Sequence, residues 1–286
     1  MTFPKPLLSI VIITYNHEKY IEETLEGIKD QQCDFHYEIV ISNDCSSDNT
    51  DELINLFIKN NPQYDIKYFN QKKNIGIMPN FIFALDQAKG KYIATCEGDD
   101  YWIDPCKSQI QVDFLEANDD FNFSVGKVYK LLDGKKKFQD RVDPVLQSEY
   151  FLKDYLKGVF SQTSSFVFRN NFKIPDWFQF VHAGDQSLVV IVTKDKKIKY
   201  HDHFFSVYRI NSGSISNNTD IKIAYKKSIF FLDSINNFTE KKYKRYMIAR
   251  KINNYLFYQM KKMNNPVIDV FFKGIMFTIS KFISKI

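Results

Sequence analysis

Within the first 100 residues, four short apolar runs alternate with stretches of helical periodicity, and each run ends in a polar turn. Leu7 to Ile13 (LLSIVII) is β-branched with no polar face, which suits a strand covered on both sides in a parallel sheet. Tyr20, Ile21, Leu25 and Ile28 then recur at helical spacing, with Glu18, Glu22 and Glu23 near the start, where carboxylates complement the helix dipole. The cycle repeats. Tyr37 to Ser42 predicts a second strand, and Thr50 to Lys59 a helix with Leu53, Ile54, Phe57 and Ile58 inward. Ile66 to Phe69 predicts a third strand, Asn80 to Ala88 a helix, and Tyr92 to Cys96 a fourth strand. Strand and helix alternating at this spacing imply βαβ units: an α/β fold with a mainly parallel sheet, helices on both faces and right-handed crossovers. Beyond Asp104-Pro105 the pattern predicts a helix to Ala117, a strand from Phe123 to Leu132 and a basic turn from Gly134 to Lys137. Thr163 to Phe168, an amphipathic stretch from Asp185 to Thr193, and Ile198 to Ile210 are expected to complete the sheet less regularly.

At 286 residues, with 44% apolar and 26% charged side chains, the chain can bury a core without staples. Cys33, Cys45, Cys96 and Cys106 show no C-x-x-C spacing and read as reduced thiols in a cytosolic setting. The opening residues lack a small-residue cleavage site, and no stretch approaches about 18 uninterrupted apolar residues, so a soluble or surface-bound cytoplasmic protein is expected. Charge is unevenly spread. Residues 221–286 hold 14 Lys and Arg against 3 Asp and Glu, whereas residues 1–220 hold 25 against 31. The basic end and the acidic body therefore have different jobs.

Open α/β sheets bind ligands beyond the carboxyl ends of their strands. Those ends read Thr14-Tyr15-Asn16-His17, Asn43-Asp44-Cys45-Ser46-Ser47-Asp48, Asn70 to Gly76, and Glu97-Gly98-Asp99-Asp100-Tyr101-Trp102. Three carboxylates in four residues repel one another unless neutralised, and a hard divalent cation, Mg²⁺ or Mn²⁺, does this with oxygen ligands, completing its shell with water and substrate phosphates. The plainer alternative is a solvated turn in which Asp104 caps the next helix. Asp44 lies too early to cap the helix that starts near Thr50, a job open to Ser47 or Asp48, so it is the functional candidate of its loop. Neither a G-x-G-x-x-G turn after the first strand nor a P-loop is present, which leaves metal as the holder of phosphate.

Ser9-Ile-Val-Ile-Ile-Thr-Tyr-Asn16, Asn43-Asp-Cys-Ser-Ser-Asp-Asn-Thr50, Lys73-Asn-Ile-Gly76, Gly90-Lys-Tyr-Ile-Ala94 and Glu97-Gly-Asp-Asp-Tyr-Trp102 together resemble the family 2 glycosyltransferases of GT-A fold, in order and spacing. The resemblance covers the first 120 residues well and continues loosely to about residue 215. It implies inverting sugar transfer from a nucleotide-sugar, usually a UDP-sugar. By the same resemblance Thr14, Tyr15 and Asn16 lie along the nucleoside, Asp44 reads the uracil, and Asn74 lies beside the nucleotide. Asp99 is the implied metal ligand on the diphosphate, with Glu97 near ribose or sugar and Asp100 near the donor sugar. His182-Ala-Gly-Asp185 resembles the element whose aspartate is the catalytic base, although Asp185 also suits an N-cap for the stretch that follows. Three positions depart from the family pattern: Asn43 and Glu97 stand where aspartate is commoner, and Asn211 occupies the histidine position of a Y-R-x-H element. His201 and His203 read as surface or strand-end histidines.

The division expected is a glycosyltransferase domain over residues 1–215 and a basic helical extension over 216–286. In that extension Ile268, Phe272, Ile275, Ile279, Phe282 and Ile286 make an amphipathic stripe interrupted by lysines. It fits an anionic membrane surface, or a stripe packed on the protein itself or on a second copy. Nucleic acid is not an expected partner, because no nucleic-acid module accompanies the basic clusters and the body is acidic. The acceptor expected is a hydroxyl of an envelope glycan or lipid-linked glycan. Two other functions share the fold and the metal: a catalytically inactive nucleotide-sugar-binding or assembly protein, suggested by Asn211, and a sugar nucleotidyltransferase, for which a Gly-rich basic triphosphate loop is lacking.

Overall fold

A computed structural model of the chain describes residues 3–132, 135–138, 147–157, 162–210 and 220–263. The predicted alternation is realised as β1 (Leu8–Thr14), α1 (Ile21–Lys29), β2 (Tyr37–Asn43), α2 (Thr50–Asn60), β3 (Asp65–Asn70), α3 (Ile77–Gln87) and β4 (Tyr92–Glu97). β3, β2, β1 and β4 pair in parallel, in that spatial order. Every residue of β1 is buried, as a central parallel strand requires, while β3 at the edge is only half-buried. Alternate residues of β1 serve two separate cores. Leu8, Ile10 and Ile12 pack with Ile21, Leu25 and Ile28 of α1 and with Ile54 and Phe57 of α2, whereas Val11 and Ile13 join Phe81 and Leu85 of α3 on the other face. Leu53 and Ile58 of α2 are partly buried against the first of these cores.

The second half is stitched differently. After β5 (Tyr101–Trp102) and α4 (Lys107–Ala117) come β6 (Phe121–Leu132), β7 (Lys135–Phe138), β8 (Glu149–Tyr150), α5 (Leu152–Lys157), β9 (Val167–Arg169), α6 (Gly184–Thr193) and β10 (Lys197–Arg209). The sheet runs β3-β2-β1-β4-β9-β6-β10-β5, with β7 on β6 and β8 on β10, and β9 is antiparallel to both its neighbours. Lys135 to Lys137, expected in a turn, instead pair antiparallel with β6 as part of β7. The stretch from Ser187 to Thr193, expected to be amphipathic, is buried at every position, because α6 lies under α7 (Ile221–Phe238) and against the sheet. Phe231, Leu232 and Ile235 of α7 and Met247 of α8 (Lys244–Met263) belong to the same core as α3 and α6. All four cysteines are free thiols. Among the described residues no helix is long and apolar enough to cross a membrane. Asn211 and the stripe from Ile268 to Ile286 lie outside the described residues.

Candidate active site

The carboxyl ends of β1, β2 and β4 bring the expected residues to one edge of the sheet. Two of the turns there are tied to each other: the Asn16 N–H donates to Ser46 Oγ at 2.9 Å, and the Ser47 N–H donates to Asn16 Oδ1 at 2.8 Å. Asn16 (φ 56°) and Cys45 (φ 60°) both adopt left-handed backbone, a conformation that costs an L-residue energy and that recurs where chains are bent to serve a site. Thr14 is buried and Tyr15 is 44% exposed, so the strand end shows one aromatic face to solvent.

Asp44 is 3% exposed and holds the next loop: its two oxygens accept the Ile75 N–H at 2.7 Å and the Gly76 N–H at 2.9 Å. Asn74 Oδ1 also accepts the Gly76 N–H, at 3.1 Å, and the residue itself is exposed. Asp48, by contrast, accepts from Thr50 and from the Glu18 N–H, the capping and bracing work expected of this loop.

Beyond β4 the chain turns tightly at Gly98, where a Cβ would lie 2.6 Å from Thr14 Oγ1 and 2.9 Å from His17 Nδ1, so only glycine lets the acidic turn reach β1. Asp99 Oδ2 faces His17 Nε2 at 3.9 Å, and the His17 imidazole has its pKa lowered by burial, against the pull of Asp99 and Asp48. Glu97 takes a hydrogen bond from Thr163, and burial with the nearby Asp99 and Asp185 carboxylates pushes it up to about 8. Asp100 is 1% exposed and raised well above the usual carboxylate range by burial, then by Asp99 and Glu97. Its Oδ1 accepts the Arg209 N–H at 3.0 Å, so this carboxylate braces β10 rather than facing open space.

Asp185 sits in the first turn of α6, and the N-cap is Ala183, so Asp185 does not serve as the cap. A cavity of about 180 Å³ has both Glu97 and Asp185 on its wall, together with Thr163, His182 and Tyr208. Apolar Ile77, Met78 and Phe81 close its far side. Burial, followed by Asp100, Glu97, Asp99 and Asp185, pushes the Tyr208 phenol up to about 12, keeping it a neutral hydrogen-bond donor within reach of this acidic cluster. Pockets that hold drug-sized ligands run from about 300 Å³ upward, so this cavity alone encloses only part of such a ligand.

Among the described residues no group of three His, Cys, Asp or Glu side chains forms a metal cage. Mg²⁺ and Mn²⁺ sites that work on nucleotides need fewer protein ligands, one or two carboxylates plus phosphate oxygens. The oxygen chemistry of Asp99 and the raised pKa values of the crowded Glu97 and Asp100 fit such a cation.

Several contributors were not singled out in the sequence. Arg209 Nη1 donates to the Asp99 carbonyl at 2.6 Å, its side chain pairs with Glu23, and its guanidinium lies 4.4 Å from the Tyr101 ring centroid. Its place in Val207-Tyr-Arg-Ile was the available signal. Tyr208, from the same string, lines the cavity, and Thr163 and Met78 reach it through long-range packing that no local pattern announces. Trp102, which ends the acidic turn, is 3% exposed in the core beneath α1, and Lys107 Nζ lies 4.0 Å from its ring centroid. His201 is wedged against Phe114 and Phe205, 3.0 Å from Ser124 Oγ, with its pKa pushed down to about 4 by burial; His203 pairs with Asp104 at the surface.

A mixed sheet whose parallel half ends in an acidic edge, with flanking helices, fits the GT-A class of α/β fold. The sequence profile of glycosyl transferase family 2 matches residues 9–173, and the chain belongs to that family. An uncharacterized protein of Mycobacterium tuberculosis is 31% identical over 206 residues, covering 68% of this chain and 59% of that protein. A GalNAc(5)-diNAcBac-PP-undecaprenol beta-1,3-glucosyltransferase of Campylobacter jejuni is 28% identical over 209 residues, 72% of this chain and 65% of that one. The chain thus spans about three fifths of the length of these relatives. Among solved structures, S. aureus TarS 1-349 with UDP-GlcNAc shares the fold at TM-score 0.66 and 20% identity, over 87% of this chain and 72% of that one. A mannosyltransferase of Pyrobaculum calidifontis with GDP-Man and Mn²⁺ matches at TM-score 0.57 and 12% identity, over 98% and 85% of the two chains.

Proposed function

We propose that the protein is an inverting, metal-dependent glycosyltransferase that moves a sugar from a nucleotide-sugar, UDP-linked, to a hydroxyl of an envelope glycan or lipid-linked glycan. The observation that carries this reading is the cavity walled by Glu97 and Asp185, adjoining the Asp99 turn. Asp185 takes the proton from the acceptor hydroxyl. The freed oxygen attacks the anomeric carbon from the face opposite the nucleotide, the bond from that carbon to the diphosphate oxygen breaks, and the configuration inverts. Asp99 would hold a divalent cation, which when bound would supply charge compensation for the leaving diphosphate.

The protein's own groups prepare that step. Thr14, Tyr15 and Asn16 flank the nucleoside; Asp44 fixes the loop carrying Asn74 beside it and has lone pairs left for the uracil N–H. Glu97 lies toward ribose and sugar, Tyr208 donates to a sugar hydroxyl, and Asp100 acts as a positioning residue through Arg209. Residues 1–215 carry this chemistry, while the helices after them address the acceptor at the cytoplasmic face of the membrane. The UDP-GlcNAc held by TarS, the Mn²⁺ of the mannosyltransferase and the undecaprenol acceptor named for the Campylobacter relative support the donor, the metal and the acceptor class in turn.

The test is nucleotide release from a panel of UDP- and GDP-sugars with Mn²⁺, with Mg²⁺ and with chelator, for the unmodified protein and Asp99→Ala. Release with one sugar, lost with chelator and in the variant, is expected. Binding of the donors without turnover in the presence of glycan acceptors would instead favour an inactive binding protein, and pyrophosphate release from a nucleoside triphosphate would favour a nucleotidyltransferase.

A further inference from the structure

The helix α8 has two unlike faces. Over Lys244–Met263 it carries six Lys and Arg and no Asp or Glu. Tyr246, Met247, Ala249 and Met260 are buried against the body, and Arg250 on that side reaches Gln186 Oε1 at 3.4 Å, one residue from Asp185. On the opposite side Ile248, Ile252 and Tyr255 are 47%, 45% and 48% exposed. At about 100° per residue these three fall within about 60° of arc. Lys244, Arg245 and Lys262, all exposed, flank them on the same arc. Lys251, further round, is paired with Asp233.

Large apolar side chains grouped on a surface mark a contact site, and an exclusively basic surround selects an anionic partner over a neutral one. A partner protein would need an acidic, shaped surface to match; an anionic bilayer needs only a stripe of apolar side chains at the headgroup level with cations beside it, which is what α8 presents. We infer that the exposed face of α8, centred on Ile248, Ile252 and Tyr255, docks on an anionic phospholipid surface. The opposite face packs on α7 and meets α6 through Arg250 and Gln186, so docking would turn the Asp185 end of α6 toward the membrane side of the molecule. For its bearing on the acceptor this inference rests on the glycosyltransferase reading; the docking itself does not. It is also separate from the stripe between Ile268 and Ile286.

The test is co-sedimentation of the full chain with vesicles of equal parts phosphatidylglycerol and phosphatidylcholine, against vesicles of phosphatidylcholine alone. The protein is compared with the triple variant Ile248→Ser, Ile252→Ser, Tyr255→Ser and with Lys244→Glu, Arg245→Glu. Binding to the anionic vesicles is expected to exceed binding to neutral ones by about tenfold or more and to weaken in high salt. Either variant should lose about tenfold or more of it. Both variants change exposed positions, so their thermal unfolding and vesicle-free nucleotide release should match the unmodified protein. No binding to anionic vesicles, equal binding to both vesicle types, undiminished binding by the triple variant, or self-association that the triple variant abolishes without any vesicle binding would each overturn the inference. Failure of nucleotide release with vesicle binding intact would instead count against the glycosyltransferase reading.

Discussion

The two sides of the candidate site are built by different means. On the donor side Asn16, Asp44, Asn74 and Asp99 all sit in turns directly after parallel strands, and each turn is fixed by its neighbours through hydrogen bonds such as Asp44 to the Ile75 and Gly76 N–H groups. On the other side Asp185 stands in the first turn of a helix buried from Ser187 to Thr193, held by the long pairing of β6 with β10 and by the packing of α7 and α8. The proposed donor edge is thus assembled from local turns on a rigid frame, and Asp185, the proposed base, is delivered to it by tertiary packing. Binding and proton transfer should therefore fail separately when one side is altered.

The largest effect falls on the base. Asp185→Asn keeps the shape and the helix but removes the proton acceptor, and transfer should drop by about a thousandfold or more in kcat with donor affinity nearly unchanged. A comparable loss of donor affinity would merge the two sides and break the comparison. Next comes Arg209, which clamps the acidic turn to β10 through the Asp99 carbonyl, Glu23 and Tyr101. Arg209→Met should cost about 2–3 kcal/mol in denaturant unfolding and lower turnover as well, because the turn loses the guanidinium that binds the Asp99 carbonyl.

Lys107 gives an effect of opposite sign. It is fully buried, its Nζ has no hydrogen-bond partner, and burial pushes it down to about 7. Since the unfolded lysine titrates near 10.5, the native state binds fewer protons between about pH 7 and 10.5. Stability should therefore rise with pH across that window, with the full penalty present below it. Lys107→Met should stabilise the fold by on the order of 2 kcal/mol at neutral pH, and the gain should shrink toward pH 10 in thermal or denaturant unfolding. A gain independent of pH would show that the amine is not the cause. The smallest effect is on the donor loop: Asp44→Ala should weaken nucleotide binding by roughly tenfold while leaving kcat within about threefold, a split of KM against kcat that Asp185→Asn reverses.

The same division explains what the sequence disclosed. β1 to β4 and their helices were legible because unbroken β-branched runs and helical periodicity are local properties, and the observed bounds differ from the expected ones by a few residues at most. The position of the candidate residues at strand ends was legible because a parallel sheet puts them there. The rest depended on what packs on what. Ser187 to Thr193 reads as amphipathic until α7 covers it, and Lys135 to Lys137 reads as a turn until β6 supplies a partner strand. Trp102 follows the acidic turn but packs in the core beneath α1, while Tyr208 and Thr163 come to the cavity from distant segments. The basic face of α8 was visible as composition, but which side of it stays uncovered is a tertiary fact.

The separation of donor binding from proton transfer is tested most directly by calorimetric titration of UDP with Mn²⁺ into the unmodified protein, Asp185→Asn and Asp99→Ala. Equal affinity for the first two, within about threefold, and loss of measurable binding in Asp99→Ala is the predicted result. Undiminished binding by Asp99→Ala, or loss of binding in Asp185→Asn to the same extent, would contradict it.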